Sequence, residues 1–250
     1  MQKKLIEMLH LKREPVGVYF ANTEATCDMY ANPEKRNCVM PFLIKVSEGM
    51  VISMDEQSCN CAGGAVGCCF GDGFARWNPN INKLLSQGYG DDVPEGIPAF
   101  MKEGERFFCT EELVDKWRGS IPYSEKAYPR IVFAPFSRWS EIGIPDLVYL
   151  FVNPDQLGAL VAMLGSHNGR ITNSIAPHGA ACHSIMFAAE QMDKEDPMAV
   201  IGLFDISQRY ASLENLLSLT MPYRLWEGLS MDLDKSCLTT HSWHVIEKRL

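Results

Sequence analysis

The chain has 250 residues, with 23 lysines and arginines against 31 aspartates and glutamates, so its formal net charge is −8. Hydrophobic residues make up 46% and charged residues 22%, a composition that is typical of a globular protein and excludes a disordered one. The acidic balance excludes general nucleic-acid binding, because phosphate contacts need clustered lysines and arginines. No apolar run reaches the roughly 20 residues of a membrane span, and the N-terminus lacks a signal-peptide pattern. We therefore expect a cytoplasmic protein that does not enter a membrane.

The first part of the chain predicts four ordered elements before a glycine-rich segment. They are a short helix at 3–11, a buried strand at 16–20, a helix whose first turn holds Pro41, and a short strand at 50–54. Residues 57–73 have no periodicity and contain Gly63, Gly64, Gly67, Gly71 and Gly73, so they are predicted as a loop. Turn signals fill 78–106, and a short helix follows at 111–117.

A second ordered block begins near residue 129. Asn153-Pro154-Asp155 follows a buried apolar run and is typical of a helix start. The predicted strands lie at 130–134, 147–152, 170–174 and 200–204, and the predicted helices at 153–164, 180–192, 212–219 and 224–229.

The two blocks resemble each other weakly. Residues 16–24 align with residues 147–155, and each stretch is a buried strand that ends in Phe-x-Asn before an acidic residue. We predict an α/β fold, with mixed α+β as its variant, in which two related strand–helix–strand units share one mixed sheet. A single domain would cover 1–250, with halves at about 12–75 and 129–210 joined by a turn-rich middle segment. Chance similarity between two common units is the alternative.

Nine cysteines are an odd number, which favours reduced thiols over a disulfide framework in a chain without an export signal. Cys27, Cys109 and Cys237 fit small buried side chains of a core. Four others crowd between Cys59 and Cys69, among glycines rather than periodic apolar residues. Thiolates are the ligands that iron–sulfur clusters, zinc and cuprous ions prefer, and glycines let a loop aim backbone N–H groups at such a centre. The spacing does not identify the metal, and structural thiols are the alternative.

Two further cysteines lie near predicted helix starts. Cys38 comes just before the helix that contains Pro41, where the positive end of the helix dipole favours a thiolate. Cys182 lies in the first turn of its predicted helix, but on the apolar face, which favours a position in the core. His178 and His183 flank Cys182, and a Cys–His pair could form an activated nucleophile, although the sequence supplies no third group to orient it.

Several short motifs together resemble the domain-of-unknown-function family 169. They are Pro15-Val16-Gly17-Val18, Cys38 before a helix that ends at Gly49, Cys61-Ala62-Gly63-Gly64-Ala65, the strand and helix at 147–164 followed by Cys182, Gly202 with Arg209, and Met221-Pro222-Tyr223. The resemblance covers most of the chain, and the family, found largely in anaerobic bacteria and archaea, has no assigned function. It implies that Cys38, Cys61 and Cys182 rank first as site residues. Cys59, Cys68 and Cys69 are additional thiols, and Val46-Ser47-Glu48 stands where relatives should carry a basic residue.

Our first functional hypothesis is an iron–sulfur cluster, with a four-iron four-sulfur cluster as the expected type. Cys38, Cys61 and Cys182 would be its ligands, with Cys59 as the fourth. If only three protein thiolates bind, one iron stays open for redox or Lewis-acid chemistry on a small molecule.

The second hypothesis is a binding module without catalytic activity that holds zinc or no metal. Its Cys-Gly loop, with Gly63 and Gly64, would close over a small anion, and Arg209 would supply the counter-charge. Under either hypothesis we expect a small molecule or a redox protein as partner, and self-association into a homo-oligomer is a further expectation.

The predicted pseudo-symmetry has a geometric consequence. The segments that carry Cys61 and Cys182 should leave the same edge of the shared sheet, where strand ends and helix N-termini form ligand sites. Cys38 would join them from a neighbouring helix start. The alternative is that Cys182 points into the core and that the glycine-rich segment lies elsewhere on the surface.

Overall fold

A computed structural model describes residues 1–23, 26–35, 37–77, 80–96, 99–123, 128–209 and 215–250. The predicted α/β class is confirmed, since one mixed sheet of eight strands lies between helices. The strands are β1 Val16–Ala21, β2 Met29–Tyr30, β3 Ile52–Asp55, β4 Arg130–Pro135, β5 Leu147–Val152, β6 Ser174–Ile175, β7 Ala199–Gly202 and β8 Leu217–Pro222. The α-helices are α1 Gln2–Met8, α2 Val39–Val46, α3 Ala62–Gly67, α4 Asn80–Leu85, α5 Glu111–Arg118, α6 Trp139–Ile142, α7 Pro154–Asn168, α8 His183–Ala189, α9 Ile206–Arg209, α10 Tyr223–Met231 and α11 His241–Ile246.

The two halves of the sheet have the same topology. The strand order is β2-β3-β4-β1-β5-β8-β7-β6, so each half runs first, fourth, third and second strand from the centre to the edge. The outer pairs β2–β3 and β6–β7 are parallel, and the remaining neighbours are antiparallel. The two related units therefore meet at β1 and β5. Strand β4 belongs to the first half, because it lies between β3 and β1 in the sheet. The bounds of the two halves at about 12–75 and 129–210 stay a prediction.

Strand β5 is buried on both faces, which explains its continuous apolar run. Leu147, Tyr149 and Phe151 join the core that contains residues of α2, α3 and α8. The alternate residues of the same strand join a second core with residues of α1, α7, α10 and α11. Helices α2, α3 and α8 therefore share one face of the sheet. None of the helices within the described ranges is both long and apolar enough to cross a membrane.

The helix start at Asn153 is confirmed. The Asn153 side chain accepts a hydrogen bond from the Gln156 backbone N–H at 2.9 Å, and the Gln156 side chain accepts one from the Asn153 N–H at 2.9 Å. This reciprocal capping box satisfies two N–H groups that the first turn leaves without helical partners. Helix α7 continues to Asn168, four residues beyond the predicted end.

Two predictions in the second block are corrected. The sequence predicts a helix at 212–219, but Leu217–Pro222 is strand β8, and residues 212–214 lie outside the described residues. Five of the six residues of β8 are buried. All six pair with β5, and this pairing outweighs the helical propensity of the segment. The strand predicted at 170–174 is limited to Ser174–Ile175.

The prediction of a loop over 57–73 is wrong at its centre, because Ala62–Gly67 forms helix α3. The Ala65 N–H donates to the Cys61 carbonyl and the Cys68 N–H donates to the Gly64 carbonyl, each at 2.8 Å. Glycine is a poor helix former in isolation, but five of the six residues of α3 are buried. Tertiary packing therefore stabilises a helix that local propensity does not predict.

Candidate functional site

Three helices on one face of the sheet begin at a cysteine. Cys38, Cys61 and Cys182 are the N-cap residues of α2, α3 and α8. Cys38 and Cys61 are partly exposed, whereas Cys182 is 5% exposed. The fold therefore gives the three cysteines that the resemblance ranked first the same structural position.

The contact between α3 and α8 depends on Gly67. A Cβ atom at this position would lie 2.8 Å from the Cys182 Sγ and 2.9 Å from the Cys182 carbonyl oxygen. At the other end of α3, the Gly63 carbonyl accepts from the Cys182 Sγ at 3.5 Å and from the His183 Nε2 at 3.2 Å. Close backbone approach thus fixes Cys182 against the glycine-rich helix.

Gly64 performs a similar role for a second sulfur. A Cβ atom there would lie 3.1 Å from the Cys59 Sγ and 3.3 Å from the Cys61 Cβ. Gly64 and Gly67 are three residues apart and hence neighbours on one side of the helix. The absence of side chains at both positions leaves room for the sulfurs of Cys59 and Cys182 beside α3.

Cys38 connects the two halves of the sheet. Its Sγ donates a hydrogen bond at 3.3 Å to the Oε1 of Gln208, which lies in helix α9 after β7. Cys38 belongs to the segment between β2 and β3, so this contact crosses the centre of the molecule. The Cys182 contact with Gly63 crosses it in the opposite direction.

The electrostatics show which groups lie near Cys182. Burial is the largest cause that raises the pKa of the Cys182 thiol well above its usual range, followed by the negative charges of Cys61, Cys38, Cys59 and Asp205. Hydrogen bonds place two of these neighbours: the Cys182 Sγ lies 3.5 Å from the carbonyl oxygen of Gly63, two residues after Cys61, and the Asp205 Oδ2 accepts from the N–H of Ala181, the residue before Cys182, at 3.4 Å.

Cys59 also belongs to a buried thiol pair. The Cys68 thiol hydrogen-bonds to Cys59, which lowers the pKa of Cys59 and raises the pKa of Cys68 well above its usual range. Both residues are 0% exposed. Cys69 is buried separately, and burial raises its pKa to about 12. Of these two thiols, Cys59 therefore loses its proton at the lower pH.

The histidines beside Cys182 have other partners. Because a carbonyl only accepts, the contact with Gly63 places a proton on the Nε2 of His183, and burial lowers the pKa of this histidine to about 4. Its ring stacks on Trp117 at 6.0 Å between centroids, and the Trp117 Nε1 donates to the His178 carbonyl. Among the described contacts neither histidine hydrogen-bonds the Cys182 thiol, so a Cys–His nucleophile has no support here.

Arg209 holds its own loop together. Its Nη1 donates to the carbonyls of Leu203 and Leu216, at 3.1 and 2.6 Å. Leu203 directly follows β7 and Leu216 directly precedes β8. The Arg209 guanidinium therefore links the two ends of the connection between these strands. Gly63 and Gly64, in contrast, lie directly against the cysteines.

The cysteines of this region include buried and partly exposed thiols. No three His, Cys, Asp or Glu side chains in the described part of the chain are placed to hold a single metal ion. Two surface cavities, of about 260 and 380 Å³, are lined by other residues, including Trp243 in one and Arg130 in the other. Asp205 and Gln208 belong to no recognisable sequence motif, so the sequence alone does not single them out.

The fold and the site define an α/β protein with two related halves and a cysteine cluster between them. The family model of domain-of-unknown-function family 169, described as an uncharacterised ArCR family, matches residues 4–230. The chain belongs to this family, as the sequence motifs predicted. Neither the curated proteins nor the solved structures contain a match.

Replacing Gly67 tests the close contact between α3 and α8. We expect Gly67→Ala to lower the free energy of unfolding by about 1–3 kcal/mol, because the added methyl group overpacks against Cys182. The matched control is Gly158→Ala in α7, where nothing lies within 4 Å of the new Cβ, and where alanine should stabilise the helix by roughly 0.5–1 kcal/mol. Urea denaturation measures both, and equal stabilities of the two variants would contradict the contact.

Oxidation tests the pairing of Cys59 with Cys68. With hydrogen peroxide as a small oxidant, the Cys59 thiolate should attack one peroxide oxygen, which releases hydroxide and forms a sulfenic acid, and the Cys68 thiol should then displace water to form the disulfide. We expect peptide mapping to find Cys59–Cys68 as the main intramolecular disulfide, with Cys69 still reduced. In Cys68→Ala, Cys59 should stop at the sulfenic acid. A disulfide mainly between Cys61 and Cys69 in the wild-type protein would show that the buried pair is misassigned.

Proposed function

We propose that this protein binds an iron–sulfur cluster through the thiolates of Cys38, Cys61 and Cys182. The observation that carries the proposal is that these three cysteines, from separate parts of the chain, each begin a helix on the same face of the sheet. The Cys182 Sγ also lies 3.5 Å from the carbonyl oxygen of Gly63, two residues after Cys61. Soft thiolate groups in such a cluster are the ligand set that iron–sulfur clusters prefer.

Metal binding would change the protonation state of Cys182. Burial and neighbouring negative charge both oppose ionisation of Cys182, so the protein alone keeps this thiol neutral. A metal reverses the balance, because thiols must lose their protons to coordinate it. Helix N-termini beside the sulfurs then favour the negative charge of the thiolates.

A cluster requires less convergence of its ligands than a single ion does. Ligands of one ion must meet at a point, and no three candidate groups among the described residues do so. Thiolates that bind different irons of one cluster lie farther apart, up to roughly 7 Å for metal–sulfur bonds of about 2.3 Å.

The proposed cluster would supply redox or Lewis-acid chemistry to an unidentified small molecule. With three protein thiolates, one iron would stay open to that molecule or to a redox partner. Reduced thiols of this kind also fit the cytoplasmic location expected from the sequence. A module that holds zinc or no metal is the alternative outcome of the test below.

Metal analysis of protein prepared without oxygen tests the proposal. We expect the wild-type protein to contain iron and inorganic sulfide and to absorb visible light broadly. Cys38→Ser, Cys61→Ser and Cys182→Ser should each lose most of the iron, because a hydroxyl is a poor ligand for a soft metal centre.

Cys237→Ser is the matched control, since Cys237 packs against the core on the opposite face of the sheet. It should retain the wild-type iron content. A colourless wild-type protein that contains zinc or no metal after anaerobic preparation would contradict the cluster and favour the small-ligand module.

A further inference from the structure

The segment between the two halves folds into a unit of its own, which we call the middle unit and which comprises residues 80–96 and 99–121. Side-chain bonds within the unit join its helices α4 and α5. The Asn82 Nδ2 donates to the Asp115 Oδ1 at 2.7 Å, and the Arg118 Nη1 donates to the Asn82 Oδ1 at 3.3 Å. The two helices are therefore fixed to each other.

The connection between α4 and α5 is bonded back to α4. The Glu105 N–H donates to the Leu84 carbonyl at 2.6 Å, and the Phe108 N–H donates to the Leu85 carbonyl at 3.1 Å. Most of the turn-rich segment found in the sequence is thus part of a packed unit. Since its bonds are internal, the unit is able to move as one body.

A small apolar interface holds the middle unit against α3 and α8. Ile81 and Ile121 of the unit pack with Val66 of α3 and Met186 of α8 in a cluster of seven buried residues. The two cores on the faces of the sheet contain 25 and 23 buried residues. Because hydrophobic stabilisation grows with the apolar area buried, separation at this interface costs less free energy than unfolding of either core.

A hydrogen bond connects the middle unit to the second half of the fold. The Trp117 Nε1 donates to the His178 carbonyl at 3.0 Å. The Trp117 ring also stacks on His183, with 6.0 Å between the centroids and 11° between the planes. His183 is 2% exposed, and its Nε2 contacts the same Gly63 carbonyl that the Cys182 Sγ contacts. The middle unit therefore covers the side chain next to Cys182.

We propose that the middle unit is a cap that opens away from α3 and α8 as one body, while the sheet and its two cores stay folded. The hydrogen bond from Trp117 to His178 is the latch of this cap. Openings of this kind occur where few apolar contacts hold an element in place. The opening uncovers His183 beside Cys182. Its use as an entrance for a small molecule rests on the proposed function, whereas the opening itself does not.

Two adjacent cysteines distinguish this opening from global unfolding. Cys69, which is 2% exposed, belongs to the interface beneath the middle unit. Cys68, which is 0% exposed, belongs to the core between the helices and the sheet. A thiol reagent should therefore reach Cys69 when the cap opens, but Cys68 only when the core unfolds. Neither cysteine is a proposed ligand, so their labelling requires no metal.

Maleimide labelling of anaerobically prepared protein at low urea concentrations tests the proposal, with each rate divided by the rate of the same thiol in unfolded protein. We expect Cys69 to react faster than Cys68 and with a weaker dependence on urea, because cap opening exposes less surface than global unfolding. Trp117→Phe keeps an aromatic ring but removes the N–H donor of the latch. It should raise the Cys69 rate about fivefold, the effect of one hydrogen bond.

Val152→Ala is the matched control, since Val152 belongs to the core on the opposite face of the sheet. It should raise the Cys68 rate roughly tenfold, because it removes buried methyl groups, and should leave the Cys69 rate unchanged. Equal rates and equal urea dependence for the two cysteines, or an unchanged Cys69 rate in Trp117→Phe, would overturn the cap. A wild-type protein without iron would contradict the cluster, while the labelling rates would still decide whether the cap opens.

Discussion

The site depends on the close packing of helix α3 against the start of helix α8. Gly67 allows this packing, because any side chain there would overlap both the sulfur and the carbonyl of Cys182. The same approach brings the Gly63 carbonyl to the Cys182 thiol and to His183. If α3 were displaced, Cys61 at its N-cap would move away from Cys182, and the junction between the two halves would open.

The strand order of the sheet explains why the contact between α3 and α8 joins distant parts of the chain. Strands β1 and β5 pair at the centre, so the two halves face each other across that pair. The parallel outer pairs require crossover connections, and these are α2 and α8. Both crossover helices cover the same face, and both begin with a cysteine. The same crossover connection occurs in both halves, and it therefore places cysteines that are far apart in sequence on one face of the sheet.

The sequence predicted the framework well where local signals and packing agree. The buried run at 147–152 followed by Asn153-Pro154 specifies β5 and α7 through burial and capping alone. The ranking of Cys38, Cys61 and Cys182 came from the resemblance to the family, since periodicity placed Cys182 on the apolar face of a helix. The structure accommodates both observations, because Cys182 is buried and also caps α8.

The failures occurred where long-range contacts decide the structure. The glycines of α3 predict a loop, but burial against α8 makes them helical. Residues 217–222 have no pattern that excludes a helix, and their pairing with β5 depends on a strand about 70 residues earlier in the chain.

We propose that the thiols of the two halves converge on one metal centre. A crystal structure of anaerobically prepared protein, with anomalous diffraction measured at the iron absorption edge, tests this convergence. We expect an iron peak bounded by the sulfurs of Cys38, Cys61 and Cys182, with the Cys61 and Cys182 sulfurs within roughly 7 Å of each other. No iron peak at the junction, together with Cys61 and Cys182 sulfurs well beyond that separation, would contradict it.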